Sequence, residues 1–308
     1  MTRSDGGVVV VTGEALIDLV LAPDGGLSGH PGGGPYNVAR TIGRLDQPVA
    51  YLGRVSGDRF GVRLRSQLEA DGVRMDAIVG TDAPTTLALA ELDGSGVASY
   101  RFYDAGTSAP GLTLEEAASA LPSDIYAIYL GTLGLVFEPI ATTLESIVGR
   151  VGPEPLVAID PNCRPSTIAD PALYRARLQR LLARTDIVKV SQEDLDWLDA
   201  GSNPIDAARA LLTAGDAVAL VTVGSDGVLV VTHADVVAVP APVVEVVDTI
   251  GAGDAFMGSF LADWRAHGRG REELRDLDAV ADAAGFACRV AAITCSRAGT
   301  DPPRRAEL

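Results

Sequence analysis

Asp248-Thr249-Ile250-Gly251-Ala252-Gly253-Asp254 stands directly before a helical pattern that contains Phe256, Phe260 and Leu261. Its glycines leave backbone N–H groups unobstructed at a helix start, where unpaired donors and the helix dipole favour an anion. The string predicts a phosphate cradle that uses no lysine. A carboxylate in the first turn, Asp254, would then lie beside a bound phosphoryl group and could take a proton from an attacking hydroxyl. Standing alone, the string also reads as a Gly-rich turn that caps a helix, with Asp254 complementing the dipole.

A second glycine run lies far upstream. Gly32-Gly33-Gly34-Pro35-Tyr36-Asn37-Val38-Ala39 joins glycines to a helix whose Val38, Ile42 and Leu45 share one face. Glycine permits close approach of backbone to a ligand, and Asn37 offers a donor and an acceptor to a hydroxyl-rich molecule. Around these two runs, short β-rich segments alternate with helical ones, the pattern of a mainly parallel sheet covered on both faces. Strands are expected at Val8 to Thr12, Val49 to Leu52, Ile125 to Leu130, Leu156 to Ile159, Ile187 to Val190 and Val218 to Val223, each followed by a helical stretch. Asp58 and Gly72 bracket one amphipathic helix, and Thr113 with Glu116 forms a capping box at another. Thr86 to Leu92 and Ala98 to Tyr103, joined by Asp93-Gly94-Ser95-Gly96, break the alternation as a hairpin. Two readings of it are open: an inserted cover over a ligand site, or an antiparallel edge of the main sheet.

Bulk properties exclude several classes. The 308 residues are 47% hydrophobic and 21% charged, an ordinary globular composition, with no apolar run long enough to span a bilayer and no secretory leader pattern. A cytoplasmic protein is expected. The net charge of −16 opposes nonspecific attraction to nucleic acid or anionic membrane, so neither is an expected partner. Lys189 is the only lysine, and any side-chain contact to phosphate falls to it or to an arginine. Cys163, Cys288 and Cys295 have neither zinc-ligand spacing nor an even count, which predicts free thiols in a reducing compartment. No G-x-G-x-x-G follows the first strand and no G-x-x-x-x-G-K-[ST] occurs, so a dinucleotide-binding oxidoreductase has no support.

The two glycine runs resemble, in order and separation, the two signatures of the PfkB (ribokinase-like) carbohydrate kinases. Gly13-Glu14-Ala15-Leu16-Ile17-Asp18, Asp160-Pro161-Asn162-Cys163-Arg164-Pro165, Thr222-Val223-Gly224-Ser225-Asp226-Gly227 and Ser296-Arg297-Ala298-Gly299-Thr300 resemble further landmarks, so the likeness spans nearly the whole chain. It implies one α/β domain over 1–308 with a central, mostly parallel sheet flanked by helices. It also implies a small β-sheet lid, drawn from about 14–36 and 85–104, that closes over the sugar and joins two copies as a homodimer. Asp18, Gly33, Gly34 and Asn37 would hold sugar hydroxyls, Gly251, Ala252 and Gly253 would form the anion hole, and Asp254 would be the base. ATP would lie near Lys189, Ser191, Thr222, Gly224 and Gly227, the last three also reading as a simple turn after a strand. Magnesium is expected from the chemistry of phosphoryl transfer. Where the family carries N-x-x-E, this chain has Ser191-Gln192-Glu193-Asp194, so Asp194 or Glu193 would serve the metal, against the alternative of a capped helix start. Asp248, Ile250, Thr294, Arg297 and Gly299 would frame a monovalent cation such as potassium.

The resemblance leans toward the fructokinases through Gly13-Glu14, Asp160-Pro161-Asn162 and Tyr100-Arg101-Phe102-Tyr103 with Gly106-Thr107-Ser108-Ala109. Phosphorylation of fructose to fructose 6-phosphate is the expected activity. In a strand Arg101 and Tyr103 share a face, and arginines there and at Arg164 equally suit a carboxylated sugar, which keeps 2-keto-3-deoxygluconate beside ribose as an alternative acceptor. A sugar- or nucleotide-binding sensor that does not catalyse is the reading from a different class, and an intact base argues against it.

Overall fold

Four consecutive valines, Val8 to Val11, alternate between two cores: Val9 and Val11 join one hydrophobic cluster and Val8 and Val10 the other. A strand buried on both faces has to be apolar at every position, and such strands belong to the middle of a parallel sheet. The computed structural model describes residues 7–22, 24–92 and 98–308, and the statements below concern those residues. The strands are β1 (Val8–Thr12), β2 (Leu16–Leu21), β3 (Leu27–Gly32), β4 (Val49–Ser56), β5 (Ile78–Thr81), β6 (Leu87–Leu92), β7 (Ala98–Tyr103), β8 (Ile125–Gly131), β9 (Leu156–Asp160), β10 (Ile187–Ser191), β11 (Val218–Thr222), β12 (Val228–Val231) and β13 (Val236–Val239). The helices are α1 (Gly34–Arg44), α2 (Arg59–Ala70), α3 (Leu114–Ala120), α4 (Ile140–Arg150), α5 (Pro171–Leu182), α6 (Gln192–Leu198), α7 (Pro204–Ala210), α8 (Ala252–Ala266) and α9 (Leu277–Cys295).

The large sheet runs β13-β12-β11-β10-β9-β8-β1-β4-β5, parallel from β11 through β5 and antiparallel across β12 and β13. Helices α1, α2, α8 and α9 supply buried side chains to one face, and α3 to α7 to the other. The carboxyl ends of β1, β8, β9, β10 and β11 therefore lie along one rim, where open α/β sheets bind ligands. None of the helices is long and apolar enough to cross a membrane.

The expected caps form. Asp58 accepts from Gly61 N at the start of α2, Gly72 takes a left-handed φ of 81° after its end, and Thr113 and Glu116 cap each other reciprocally at α3. The hairpin of β6 and β7 is no edge of the main sheet: it joins β2 and β3 in a separate four-stranded sheet, ordered β3-β2-β6-β7. Its turn, Asp93-Gly94-Ser95-Gly96, lies outside the described residues. One expectation is met only in part: a single 3-10 turn, Gly224–Asp226, and no α-helix follows β11 before the next strand. Gly224 and Gly227 take φ values of 59° and 103°, and the chain reverses there into β12. Cys163 and Cys288 are buried and Cys295 half-buried, all as free thiols.

A buried charge cluster ties α1 to the end of the chain. Asp71, 4% exposed, accepts from Arg40 at 2.8 Å and Arg304 at 3.0 Å and has Arg44 at 3.2 Å. Arg40 and Arg44 reach onward to the carbonyls of Thr300 and Pro302 at 2.9 and 2.7 Å. Removing Asp71 would leave the buried Arg40 guanidinium without its counter-charge. Asp71→Ala is expected to cost about 3–5 kcal/mol in urea unfolding; an unchanged midpoint would show that water takes over the carboxylate's role.

Candidate active site

Helix α8 begins without a capping side chain. Gly251, at its N-cap, has a left-handed φ of 77°, and no side chain bonds to the first-turn N–H groups. Glycine suits that φ, and space forbids more: a Cβ on Gly251 would lie 2.7 Å from the Thr300 methyl. Ala252 N donates to Thr249 O at 3.3 Å, while the N–H groups of Gly251 and Gly253 have no protein acceptor among the described residues, which leaves donors available to an anion at this helix start. A Cβ on Gly253 would lie 2.9 Å from Lys189 Nζ, so the glycine leaves the lysine ammonium room beside the helix start.

Lys189, 5% exposed on β10, donates to Asp160 Oδ2 at 2.9 Å from the end of β9. Burial works against the ammonium, but Asp160, Asp194 and Asp254 outweigh it and hold its pKa above the ordinary lysine value. Asp160, with Oδ1 unpartnered among the described residues, is pushed up to about 6 by burial in spite of the lysine. Sequence reading gave Asp160 no role, although its place at the carboxyl end of an apolar run was a usable sign.

Asp254 and Asn37, 217 positions apart, meet: Asn37 Nδ2 donates to Asp254 Oδ2 at 2.9 Å, and Asn37 Oδ1 is buried without a partner. Burial pushes the Asp254 carboxyl up to about 6, against the Asn37 bond and the attraction of Lys189 and Arg164, with Asp18 adding repulsion. Asp18 and Arg164 thus lie within electrostatic reach of Asp254. Asp18 is itself raised to about 6 by burial. Its carboxylate occupies the space a side chain at residue 32 would need: a Cβ on Gly32 would meet Asp18 Oδ2 at 1.9 Å. Gly33 has φ 107°, and a Cβ on Gly34 would lie 2.5 Å from Thr132 Cγ2 and 3.3 Å from Asp254 Oδ1. Backbone therefore comes within reach of the carboxylates without an intervening side chain.

Two neighbours of these residues had no role assigned from the sequence, although Glu14 stands in the Gly13-Glu14 landmark. Glu14, 3% exposed, accepts from Gly34 N at 3.1 Å, from Gly134 N at 3.0 Å and from the Thr132 hydroxyl. Burial raises its carboxyl to about 7 despite those donors. Thr132, a β-branched residue, has φ 53°, a conformation that costs energy and recurs at functional sites. Nothing in its local sequence signals that.

The strand register corrects the assignment within the small sheet. Asp18 pairs with Ala88 and Ala88 with Phe102, so Phe102 shares the face of Asp18. Arg101 and Tyr103 pair with Leu89 and Leu87 and turn to the opposite face. Phe102 packs edge-on against Phe137 at 6.3 Å, beside a cavity of about 610 Å³ that Arg101 also lines. Arg164 is exposed and bonds the carbonyls of Asn162 and Cys163 in its own loop.

Along the rim, Ser191 and Thr222 are register partners at the ends of β10 and β11. Ser191 and Asp194 realise the capping alternative: Ser191 Oγ accepts from Asp194 N, while the Asp194 carboxylate accepts from Ser191 N and Oγ and from Cys163 N. Asp194 is thereby occupied by protein donors, and Glu193 beside it is exposed. No cluster of three or more metal-ligating side chains occurs among the described residues. Gly224 is exposed, but Gly227 is buried against β13, where a Cβ would meet Val239 O at 2.1 Å, so its glycine is required by the hairpin. The Asp248 carboxylate accepts from Ile250 N and Gly299 N, both at 2.9 Å, and joins those loops beside the anion hole. Thr294 is buried in the last turn of α9, and Arg297 follows it.

Three likenesses bear on this geometry. The chain is 34% identical over 259 residues to a fructokinase of Rhizobium leguminosarum bv. trifolii, covering 83% of this chain and 79% of that one. Its fold matches that of the Xylella fastidiosa fructokinase with bound ATP at a TM-score of 0.87 and 28% identity, over 95% of this chain and 93% of the other. It also matches a double mutant of the Vibrio cholerae O395 fructokinase bound to fructose, ADP and a potassium ion at a TM-score of 0.82 and 26% identity, over 97% and 95%. Residues 8–306 match the pfkB family of carbohydrate kinases. With an uncapped glycine-framed helix start, a buried carboxylate beside it and this match across its length, the chain belongs to the PfkB family of carbohydrate kinases, ATP-dependent enzymes that phosphorylate a sugar hydroxyl.

Proposed function

We propose that this enzyme transfers the γ-phosphate of ATP to the 6-hydroxyl of fructose. The observation that carries the reading is the placement of Asp254: a buried carboxylate in the first turn of α8, hydrogen-bonded to Asn37 and next to free amide donors. Asp18, Asn37 and the Gly33–Gly34 backbone hold the sugar hydroxyls, and Asp254 takes the proton of the hydroxyl that attacks. The amides of Gly251 and Gly253, joined by that of Ala252 once it turns from Thr249 O, with the Lys189 ammonium behind them, stabilise the charge that develops on the transferring phosphoryl group. The small sheet covers the sugar and keeps water from competing as acceptor.

Magnesium bound with the β- and γ-phosphates would supply neutralisation of their charge. The exposed Glu193 carboxylate fits the role of holding such an ion through water better than Asp194, whose oxygens are taken by protein donors. Potassium near Asp248, Ile250, Thr294, Arg297 and Gly299 is supported by the way Asp248 joins the two loops and by the ion in the Vibrio cholerae protein. The small sheet leaves Leu27 63% and Tyr103 49% exposed on one face, at its two outer strands, and we read this face as the contact between two copies. Sedimentation should give a dimer that Leu27→Asp weakens; a monomer at micromolar concentration would refute that contact.

Asp254→Asn should keep nucleotide binding and lower turnover by a factor on the order of 10² to 10⁴, while normal turnover would remove Asp254 as the base. Because the base has to be ionised, kcat/KM of the wild type should fall with unit slope below a pH of about 6. Stability should move the other way. A raised carboxyl favours the folded state below the unfolded value near 3.8, and that advantage is lost as pH rises through about 6. At pH 7.5 Asp254→Asn should therefore unfold later than the wild type, by on the order of 2–3 kcal/mol, with the gap closing at pH 4. For the acceptor, ADP release measured with fructose, ribose, tagatose, adenosine and 2-keto-3-deoxygluconate should favour fructose. Preference for the carboxylated sugar would assign Arg164 to its carboxylate instead.

A further inference from the structure

We propose that Glu14 is a positioning residue for the acceptor sugar: its carboxylate holds the Gly34 backbone and Thr132 in the places from which they shape the sugar pocket. The inference rests on the acceptor site assigned above to Asp18, Gly33, Gly34 and Asn37, and it adds a residue that need not touch the sugar.

Three donors from two distant segments converge on this one side chain. Oε1 accepts from Gly34 N at 3.1 Å and from the Thr132 hydroxyl, and Oε2 accepts from Gly134 N at 3.0 Å. Gly34 opens α1, the helix that carries Asn37 to Asp254, and Thr132 follows directly on β8. The turn is wrapped so closely around Glu14 that a Cβ on Gly33 would meet Glu14 O at 2.6 Å. Glu14 is itself fixed from behind, where the Tyr51 hydroxyl donates to Gly13 O at 2.8 Å.

The chemistry argues for a role beyond packing. A carboxylate buried at 3% exposure with no ion pair among the described residues is an unfavourable way to fill space, and an apolar side chain would fill it with less penalty. A carboxylate can, however, accept several hydrogen bonds at once and fix groups that have no other partner. The groups fixed here are ones with strained or glycine-only backbone, Thr132 at φ 53° and the turn of Gly33 at φ 107°. Both border Asp254: the Cβ position of Gly34 lies 2.5 Å from the Thr132 methyl and 3.3 Å from Asp254 Oδ1. Loss of the carboxylate would free those segments to relax and widen the pocket on the sugar side, and leave the anion hole on α8 in place.

The test compares Glu14→Ala, Glu14→Gln, Thr132→Val and the Glu14→Gln/Thr132→Val pair with Asn37→Ala, reading fructose KM and kcat by coupled ADP release and ATP affinity by calorimetry. Glu14→Ala should raise the sugar KM roughly 10- to 100-fold, as expected when buried donors lose their acceptor, with ATP affinity within about threefold. Glu14→Gln keeps one acceptor oxygen but turns an amide toward a donor, so it should lie between Glu14→Ala and the wild type. Thr132→Val should raise KM too, and its effect should be less than additive with Glu14→Gln, because both break one network. Where Glu14→Ala fails to fold, the glutamine and valine variants carry the comparison. A sugar KM unchanged by Glu14→Gln and Thr132→Val while Asn37→Ala raises it would overturn the proposal and leave the acceptor site standing, as would additive effects or an equal loss of ATP affinity. A KM indifferent to Asn37→Ala would sink the acceptor site itself, and this proposal with it.

Discussion

The unsatisfied N–H groups at the start of α8 are the constraint around which the molecule is arranged. A helix end left bare beside a buried region is unfavourable unless a ligand or side chain satisfies it, and here no side chain does. Everything near it keeps the position open: glycines at 251 and 253 where side chains would collide, Thr300 packed behind the turn, and Lys189 drawn back toward Asp160. The same openness that makes an anion welcome forces the neighbouring charges to be provided for by other segments.

That provision depends on how closely two helices cross. Gly258 on α8 lies so near α1 that a Cβ there would meet Thr41 Cβ at 2.7 Å and Val38 O at 2.9 Å. Close approach of backbones is the use of glycine at a helix contact, and the result is that Asn37, one turn before Thr41 on α1, reaches Asp254. Helix α1 is held at its other end by Asp71 and its arginines, which also grip the chain after Thr300. The loop behind the start of α8 and the helix that carries Asn37 thus share one buried ionic anchor, and a shift of either would be felt by the other.

The sequence made legible what is encoded by spacing and by glycine. The valine runs gave the sheet, the caps at Asp58 and Thr113 gave helix starts to the residue, and the two glycine runs marked the turns that open α8 and α1, since close approach leaves its mark on residue type. Information held in pairing was hidden. Whether Arg101 or Phe102 faces Asp18 depends on the register of β2, β6 and β7, and a strand alone shows only that its faces alternate. The reversal after β11 was hidden for a related reason: Gly224 to Gly227 suits a loop to a helix as well as a hairpin, and it is the pairing of β12 with β11 that decides. Thr132 was invisible altogether, because a positive φ in a β-branched residue has no local sequence mark and its hydroxyl's partner, Glu14, is 118 positions away in the chain.

Carboxylates are an awkward choice of lining for a site that has to receive a polyanion. Glu14, Asp18, Asp160 and Asp254 all lie at this rim, each with its carboxyl raised by burial to about 6 or 7. Lys189 is paired with one of them, so the lysine offsets the acidity only in part. On the reading proposed above, the tasks are separated in space: the anion would meet main-chain donors at the start of α8, where the dipole is favourable, while the carboxylates would gather where neutral hydroxyls are held. The raised values suit that reading. A base whose pKa lies near the working pH is ionised often enough to act and basic enough to draw a proton, and desolvation, which weakens the fold around Asp254, is what raises its carboxyl. Stability given up at the rim is what the buried valine sheet and the Asp71 anchor have to supply from the rest of the molecule.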